Sequence, residues 1–214
     1  MTMNRRQALQ AAMAGTLPAT LLLAPASARL QQRALDPATE RALRDGGQVI
    51  LMRHALTTPG VGDPPGYKLA DCRTQRNLSE EGVQAALSQR ALLLREGIFI
   101  ERALASPWCR TMDTARLVSG RTPEAYAALG SFFDETDQAT RERATSRVLQ
   151  TLLAWRGGGA APGSGTSGGN LLMVSHGLNL GALLGRVPGF GEGIAIDPRR
   201  SRGAALQVVG HLAP

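Results

Sequence analysis

Two arginines and two histidines stand where they can act together. They are Arg53-His54 in "LMRHALT", Arg110 in "ASPWCRTMDTA" and His176 in "MVSHG". The chain has only three histidines, so two of them sit beside or near arginine-bearing motifs. The planar fork of arginine matches the oxygens of a phosphoryl group, and two such forks neutralise a dianion. A neutral imidazole is a competent nucleophile toward phosphorus. A second imidazole, if protonated, stabilises the oxygens that carry charge during transfer. These four side chains suit phosphoryl chemistry once a fold brings them to one place. The third histidine, His211, lies in no motif.

The elements that would position them are legible. Residues 48–53 are apolar almost throughout and read as a strand buried on both faces. "ERALAS" (101–106) reads as a second strand leading into Ser106-Pro107, and "NLLMVS" (170–175) as a third ending at His176. Helices are expected from "DPATERALRDGG", with Asp36 as N-cap and Pro37 at the first position, and after Ser79, with Glu80 and Glu81 beside the helix dipole. In the second of these, Val83, Leu87, Ala91 and Leu94 recur at helical spacing and are expected to form the buried face. "WCRTMDTARLVSG" and "LNLGALLG" read as further helices. Another is capped by Thr136 or Asp137, with Ala144, Val148, Leu152 and Trp155 on one face. "ALGSFFDET" is a strand or a loop, while "GIAID" and "AALQVV" are strand candidates. Strands alternating with helices imply an α/β fold, a three-layer α/β/α sandwich with a largely parallel central sheet. Ligands of such sheets bind beyond the carboxyl ends of the strands, where all four site residues fall. The loop "TTPGVGDPPGYKLADC" (57–72) is long for a compact domain and is expected to be functional. Residues 157–169 are a Gly-rich low-complexity loop inside the domain.

The chain has 214 residues, 43% of them hydrophobic but only 4% aromatic, so Leu, Ala and Val must build the core. Residues 1–28 read as an export signal peptide and 29–214 as a single domain. Arg5 and Arg6 precede an apolar stretch without acids, and Ala26-Ser27-Ala28 forms a small-x-small cleavage site. "NRRQALQ" resembles a twin-arginine signal, with Ala8 where a larger apolar residue is usual, so the Tat and Sec routes both stay open. The expected location is periplasmic or extracellular, with no stable membrane insertion after cleavage. Formal charge is +7, and the segment before residue 29 holds two arginines and no acid. The remainder is modestly basic, with Lys68 the only lysine and no nucleic-acid motif. A small anionic, phosphorylated substrate accounts for this better than DNA or RNA. The two cysteines, Cys72 and Cys109, are expected to form a disulfide, as an even count in an exported protein permits.

With these residues in place, the chain resembles the histidine phosphatase superfamily, also called phosphoglycerate-mutase-like, in a small bacterial exported form. "LMRHALT" is similar to its Arg-His-Gly signature and "ASPWCRTMDTA" to its Ser-Pro-x-x-Arg-x-x-x-Thr-Ala segment. "MVSHG" is similar to its second histidine motif, and "RNLSEEGVQAA" to its Leu-[Ser/Thr]-x-x-Gly-x-x-Gln-Ala helix start. "GEGIAID" fits its late strand, and the matches run in order from about residue 46 to 200. The resemblance implies a phosphomonoester hydrolase that needs no metal or cofactor. His54 would become phosphohistidine, Arg53 and Arg110 would clamp the phosphoryl oxygens, and His176 would complete the pocket. The Gly177 N–H would add a donor at a helix start, and Thr57 would place a hydroxyl near the phosphate. The substrate would be a small molecule or an envelope sugar phosphate.

Two departures stand out. Ala55 follows the nucleophile in place of glycine, and Ser131 stands where many members carry a glutamate acid. Asp134 is then the first choice of proton donor, with Glu135, Asp63 or no acid at all, as in small members that work on good leaving groups, as alternatives. Other readings compete. A pseudoenzyme would hold a phosphorylated ligand without turnover. A phosphohistidine protein phosphatase, or less readily a mutase, would use the same residues. A zinc site would join His54 and His176 to Cys72 or Cys109. Arg73 and Arg76 are expected on the solvent face or the rim, Trp108 in the core or the pocket wall, and specificity in loop 57–75 and around Phe132-Phe133.

Overall fold

Val49, Ile50, Leu51 and Met52 have no solvent exposure at all. In a strand, neighbouring side chains point to opposite faces. An unbroken apolar run therefore demands a layer on each side. The computed structural model of the protein describes residues 35–158 and 168–214. The expected signal peptide and residues 159–167 of the Gly-rich loop lie outside these.

The elements are α1 (Pro37–Asp45), β1 (Val49–Arg53), α2 (Glu80–Arg95), β2 (Ile100–Ala105), α3 (Cys109–Ser119), β3 (Glu124–Ala125), α4 (Gln138–Ala154), β4 (Asn170–Ser175), α5 (Gly177–Leu184), β5 (Gly193–Arg202) and β6 (Ala205–Leu212). Short 3-10 turns lie at Cys72–Thr74 and Ala127–Leu129. The six strands form one sheet in the order β3-β2-β4-β1-β5-β6. The first four are parallel to one another, while β5 and β6 add an antiparallel edge. The sheet is thus largely parallel. "ALGSFFDET" supplies no strand, only the second 3-10 turn and a loop.

Ile50 and Met52 pack into one cluster with Leu43 of α1, Leu93 of α2 and Val118 of α3. Val49 and Leu51 pack into the other with Val148 and Leu152 of α4 and Leu180 of α5. Burying each such side chain contributes roughly 1.5–3 kcal/mol. The local signals behave as expected. Asp36 caps α1 through Ala38 and Thr39, Ser79 caps α2 through Gly82, and Asp137 rather than Thr136 caps α4.

The face of α2 differs from the expected one. Leu87 and Leu94 are 39% and 67% exposed, and the buried residues are Gly82, Ala86, Gln89, Leu92 and Leu93. Two contacts turn the helix. A Cβ at residue 82 would collide with the Leu56 backbone, so only glycine lets α2 approach the loop after β1. Gln89 Nε2 donates to the Gly191 and Ala213 carbonyls at 2.7 and 2.8 Å. A buried amide so satisfied outweighs the leucine spacing.

Cys72 and Cys109 are joined in a disulfide. It ties loop 57–79 to the first residue of α3. Gln75 Oε1 strengthens the tie by accepting from Cys109 N–H at 3.0 Å. Neither sulfur remains as a thiolate, so the zinc reading with a cysteine ligand is overturned.

Candidate active site

β1 and β4 are neighbours in register, Arg53 opposite Ser175. His54 and His176 each lie one residue beyond a strand end, and His54 N–H donates to the Ser175 carbonyl at 3.0 Å. The imidazole centroids stand 5.5 Å apart with planes at 65°. Both rings are buried, 3% and 5% exposed. β2 ends beside β4, where Ser106 N–H donates to the Val174 carbonyl. From there the chain enters α3 and places Arg110 in its first turn, 3% exposed.

Arg53, His54, Arg110, His176 and Gly177 line one cavity of about 290 Å³, together with Asp63, Arg76, Ser131, Phe133, Leu178 and Val187. That is the small end of the roughly 300–1,000 Å³ typical of ligand sites. A larger cavity, about 410 Å³, lies between α2 and the last strand, and none of these catalytic candidates borders it.

His54 Nδ1 is 2.9 Å from the Ala55 carbonyl oxygen. A carbonyl only accepts, so Nδ1 carries the hydrogen. In the neutral ring Nε2 then has a free lone pair. Burial pushes the His54 pKa down to about 3, aided by the charges of Arg110, Arg53 and Arg76 and opposed by the Ala55 carbonyl. The ring is neutral across the ordinary pH range.

Burial, then His54 and the same arginines, hold the His176 pKa well below its ordinary value. The expectation of a protonated second histidine does not hold for the free site, where no anion offsets the arginines. Ser106 Oγ, 2.8 Å from His176 Nε2, fixes that ring's orientation.

Three guanidinium groups surround the pair. Arg53 Nη1 donates to the Pro188 carbonyl at 2.9 Å, and its Cζ lies 3.6 Å above the Phe190 ring. Arg110 Nη1 donates to Asp63 Oδ1 at 2.8 Å, with Cζ 4.3 Å above Trp108. The Nε atoms of Arg53, Arg76 and Arg110 are all buried with no hydrogen-bond partner among the described residues. Burying donors unpaired is costly, about 1–3 kcal/mol each. Three guanidinium groups lining one cavity give it a cationic wall that suits an anion.

Secondary contacts hold this arrangement. Thr114 Oγ1 accepts from Ala55 N–H at 3.0 Å and donates to the Arg110 carbonyl at 2.7 Å, joining the loop after β1 to α3. Gly177 lies against Arg53, and a Cβ there would stand 3.0 Å from Val187 and 3.3 Å from the guanidinium carbon.

Four of the expected residues, Arg53, His54, Arg110 and His176, come together as anticipated, with Gly177 beside them. Two others do not. Asp134 is exposed, accepts from the Tyr67 hydroxyl at 3.1 Å and lies outside the cavity lining. The 3-10 turn at 127–129 and the loop after it carry the Asp134 carboxylate past the mouth. The carboxylate that lines the cavity is Asp63, whose Oδ1 also accepts from Arg76 N–H at 3.1 Å. Thr57 is buried, bridges to Leu78 as an isolated strand pair and does not line the cavity. Arg76, expected at the rim at most, belongs to the floor. Its signal was its place just before the "NLSEEG" helix start, which the Thr57–Leu78 bridge pulls back against the end of β1. Trp108 is buried at 6% exposure beneath Arg110. Phe190 had no sequence signal. It reaches the site because β5 runs antiparallel to β1, so loop 185–192 must return to the same end of the sheet.

No family model matches the sequence, and no curated protein matches it. Solved structures do match. YhfR of Bacillus stearothermophilus aligns with a TM-score of 0.50 and 18% identity, covering 76% of this chain and 95% of its own. The putative phosphohistidine phosphatase SixA from Agrobacterium tumefaciens aligns at 0.49 and 17%, covering 78% and 97%. A mycobacterial glucosyl-3-phosphoglycerate phosphatase aligns at 0.49 and 14%, covering 75% and 95%. At these identities the likeness is one of fold.

Proposed function

We propose that this chain, which has the phosphoglycerate-mutase-like fold of the histidine phosphatase superfamily, is a phosphomonoester hydrolase working through phosphohistidine at His54. The observation that carries the reading is the convergence of three guanidinium groups on one cavity around an imidazole whose Nδ1 carries the hydrogen and whose Nε2 keeps its lone pair. Arg53, Arg76 and Arg110 bind and orient the phosphoryl oxygens, and their charge grows in effect as the transition state forms in a water-poor cavity. His54 Nε2 attacks phosphorus, the bond to the leaving oxygen breaks, and that oxygen takes a proton. Water then attacks the phosphohistidine, the P–N bond breaks, and inorganic phosphate and neutral His54 are regenerated. His176 remains an oriented, uncharged partner until the dianion arrives. The added negative charge then raises its proton affinity.

The proton for the leaving oxygen is assigned to Asp63 in place of Asp134. In the free site Asp63 Oδ1 accepts from Arg76 N–H and from Arg110 Nη1. Asp63 is the carboxylate that lines the cavity, against Arg110, and serves as the proton relay for the leaving oxygen. The same carboxylate then receives a proton from the attacking water. The disulfide supports the further reading that the protein works after export, in an oxidising compartment.

The test is hydrolysis of an aryl phosphate by residues 29–214, with His54→Ala as the comparison. We expect a loss of about 10⁴-fold or more in that variant and a labelled phosphohistidine trapped by rapid quench in the wild type. Full activity of His54→Ala would overturn the mechanism. Phosphate binding without turnover in the wild type would replace it with a binding function.

A further inference from the structure

The cavity's floor and mouth differ in chemistry. The floor is cationic. Around the mouth stand Phe133, Leu178 and Val187, which are 76%, 56% and 53% exposed. Among the described residues eight large hydrophobic side chains are exposed, and these three border the same cavity. They arrive from separate segments: the loop before α4, the first turn of α5 and the loop after it. Exposed apolar side chains scattered singly need no explanation, whereas a group of them around a polar site marks a surface meant to be covered.

The polar groups left for a leaving group are few. Gly62 offers no side chain, Ser131 offers a single hydroxyl whose oxygen already accepts from Phe133 N–H at 3.2 Å, and the three arginines are committed to the phosphoryl oxygens. A leaving group rich in hydroxyls would lose its water and find almost nothing to replace it.

Resting on the phosphatase reading above, we infer that the substrates are phosphomonoesters of apolar alcohols, aryl or alkyl, whose hydrocarbon body covers Phe133, Leu178 and Val187. Sugar phosphates match this surface less well and are expected to be the poorer substrates. A leaving group of this kind also lessens the demand on Asp63 where it is a phenol, because a phenolate departs more readily than an alkoxide.

Binding of non-hydrolysable phosphonates tests this without requiring turnover. Calorimetry would compare 1-naphthylmethylphosphonate with methylphosphonate in the wild type, Phe133→Ser and Leu178→Ser; both side chains are exposed and replaceable without loss of core. The naphthyl compound should bind about tenfold more tightly than the methyl compound in the wild type, given the apolar area it covers. Each variant should remove most of that ratio while leaving methylphosphonate affinity within about twofold. Equal affinities in the wild type, or variants that leave the ratio unchanged, would overturn the inference and leave the phosphatase reading standing. Failure of both phosphonates to bind would overturn the phosphoryl site and this inference with it. A hexose phosphate turned over faster than naphthyl phosphate would count against the inference alone.

Discussion

The two ends of β4 treat buried polar groups in opposite ways. At the amino end Asn170, with no exposure, is satisfied on both sides of its amide. Its Nδ2 donates to the Leu43 and Phe99 carbonyls at 2.7 and 3.0 Å, and its Oδ1 accepts from Gln48 N–H at 3.1 Å. One side chain thereby joins α1, β1, β2 and β4. At the carboxyl end, three guanidinium groups crowd two neutral imidazoles and leave donors unpaired. The first arrangement holds the sheet together. The second opposes folding through desolvation and like charge, and it persists because its surroundings over-determine it.

Substitutions at the two ends should therefore separate activity from stability. Arg110→Ala should lower kcat/KM for an aryl phosphate by about a hundred- to a thousandfold, with a smaller change in denaturant midpoint than any change at Asn170. An Arg110→Ala protein that unfolds as readily as an Asn170 variant would dissolve the distinction. Asn170→Ala strands the Leu43 carbonyl and the Gln48 N–H, while the Phe99 carbonyl keeps its bond from the Asn170 backbone N–H, and should lose about 2 kcal/mol in urea unfolding while KM at low temperature barely moves.

The third contrast is the slope of stability with pH. His54 has an ordinary pKa of 6.5 when unfolded and about 3 when folded. Between these values the unfolded chain binds the proton and the folded chain does not. Stability is therefore full above about pH 6.5 and falls as pH drops toward 3, by up to about 1.4 kcal/mol per pH unit from this one group. His176 acts in the same direction. Urea midpoints between pH 4 and 7 should show a shallower slope for His54→Asn than for the wild type; parallel slopes would mean that the imidazole is not held neutral.

The readable and unreadable parts of this fold divide along physical lines. Local chemistry was readable. Asp36, Ser79 and Asp137 cap the helices as their side chains dictate. The strands β1 and β4 follow from apolar runs too dense for a one-sided sheet, and with them the meeting of His54 and His176. What depended on distant contacts was not readable. Leucine spacing in α2 gave way to Gly82 and Gln89, whose partners lie at Leu56, Gly191 and Ala213. That Asp63 and not Asp134 lines the cavity follows from the path of a long loop, and the pairing of Asp63 with Arg110 spans 47 positions. Loop 185–192 owes its role to an antiparallel strand that periodicity cannot distinguish from a parallel one.

The Cys72–Cys109 link has a consequence for the continuity of the chain itself. It closes a ring that contains all of α2 and β2, with Arg76 inside and Arg110 just outside. A peptide bond cut anywhere within that ring leaves His54, Arg76, Arg110 and His176 on one covalent molecule. The long stretch between Cys72 and Cys109 is thus a segment whose severance need not divide the site, so long as the sulfurs stay joined.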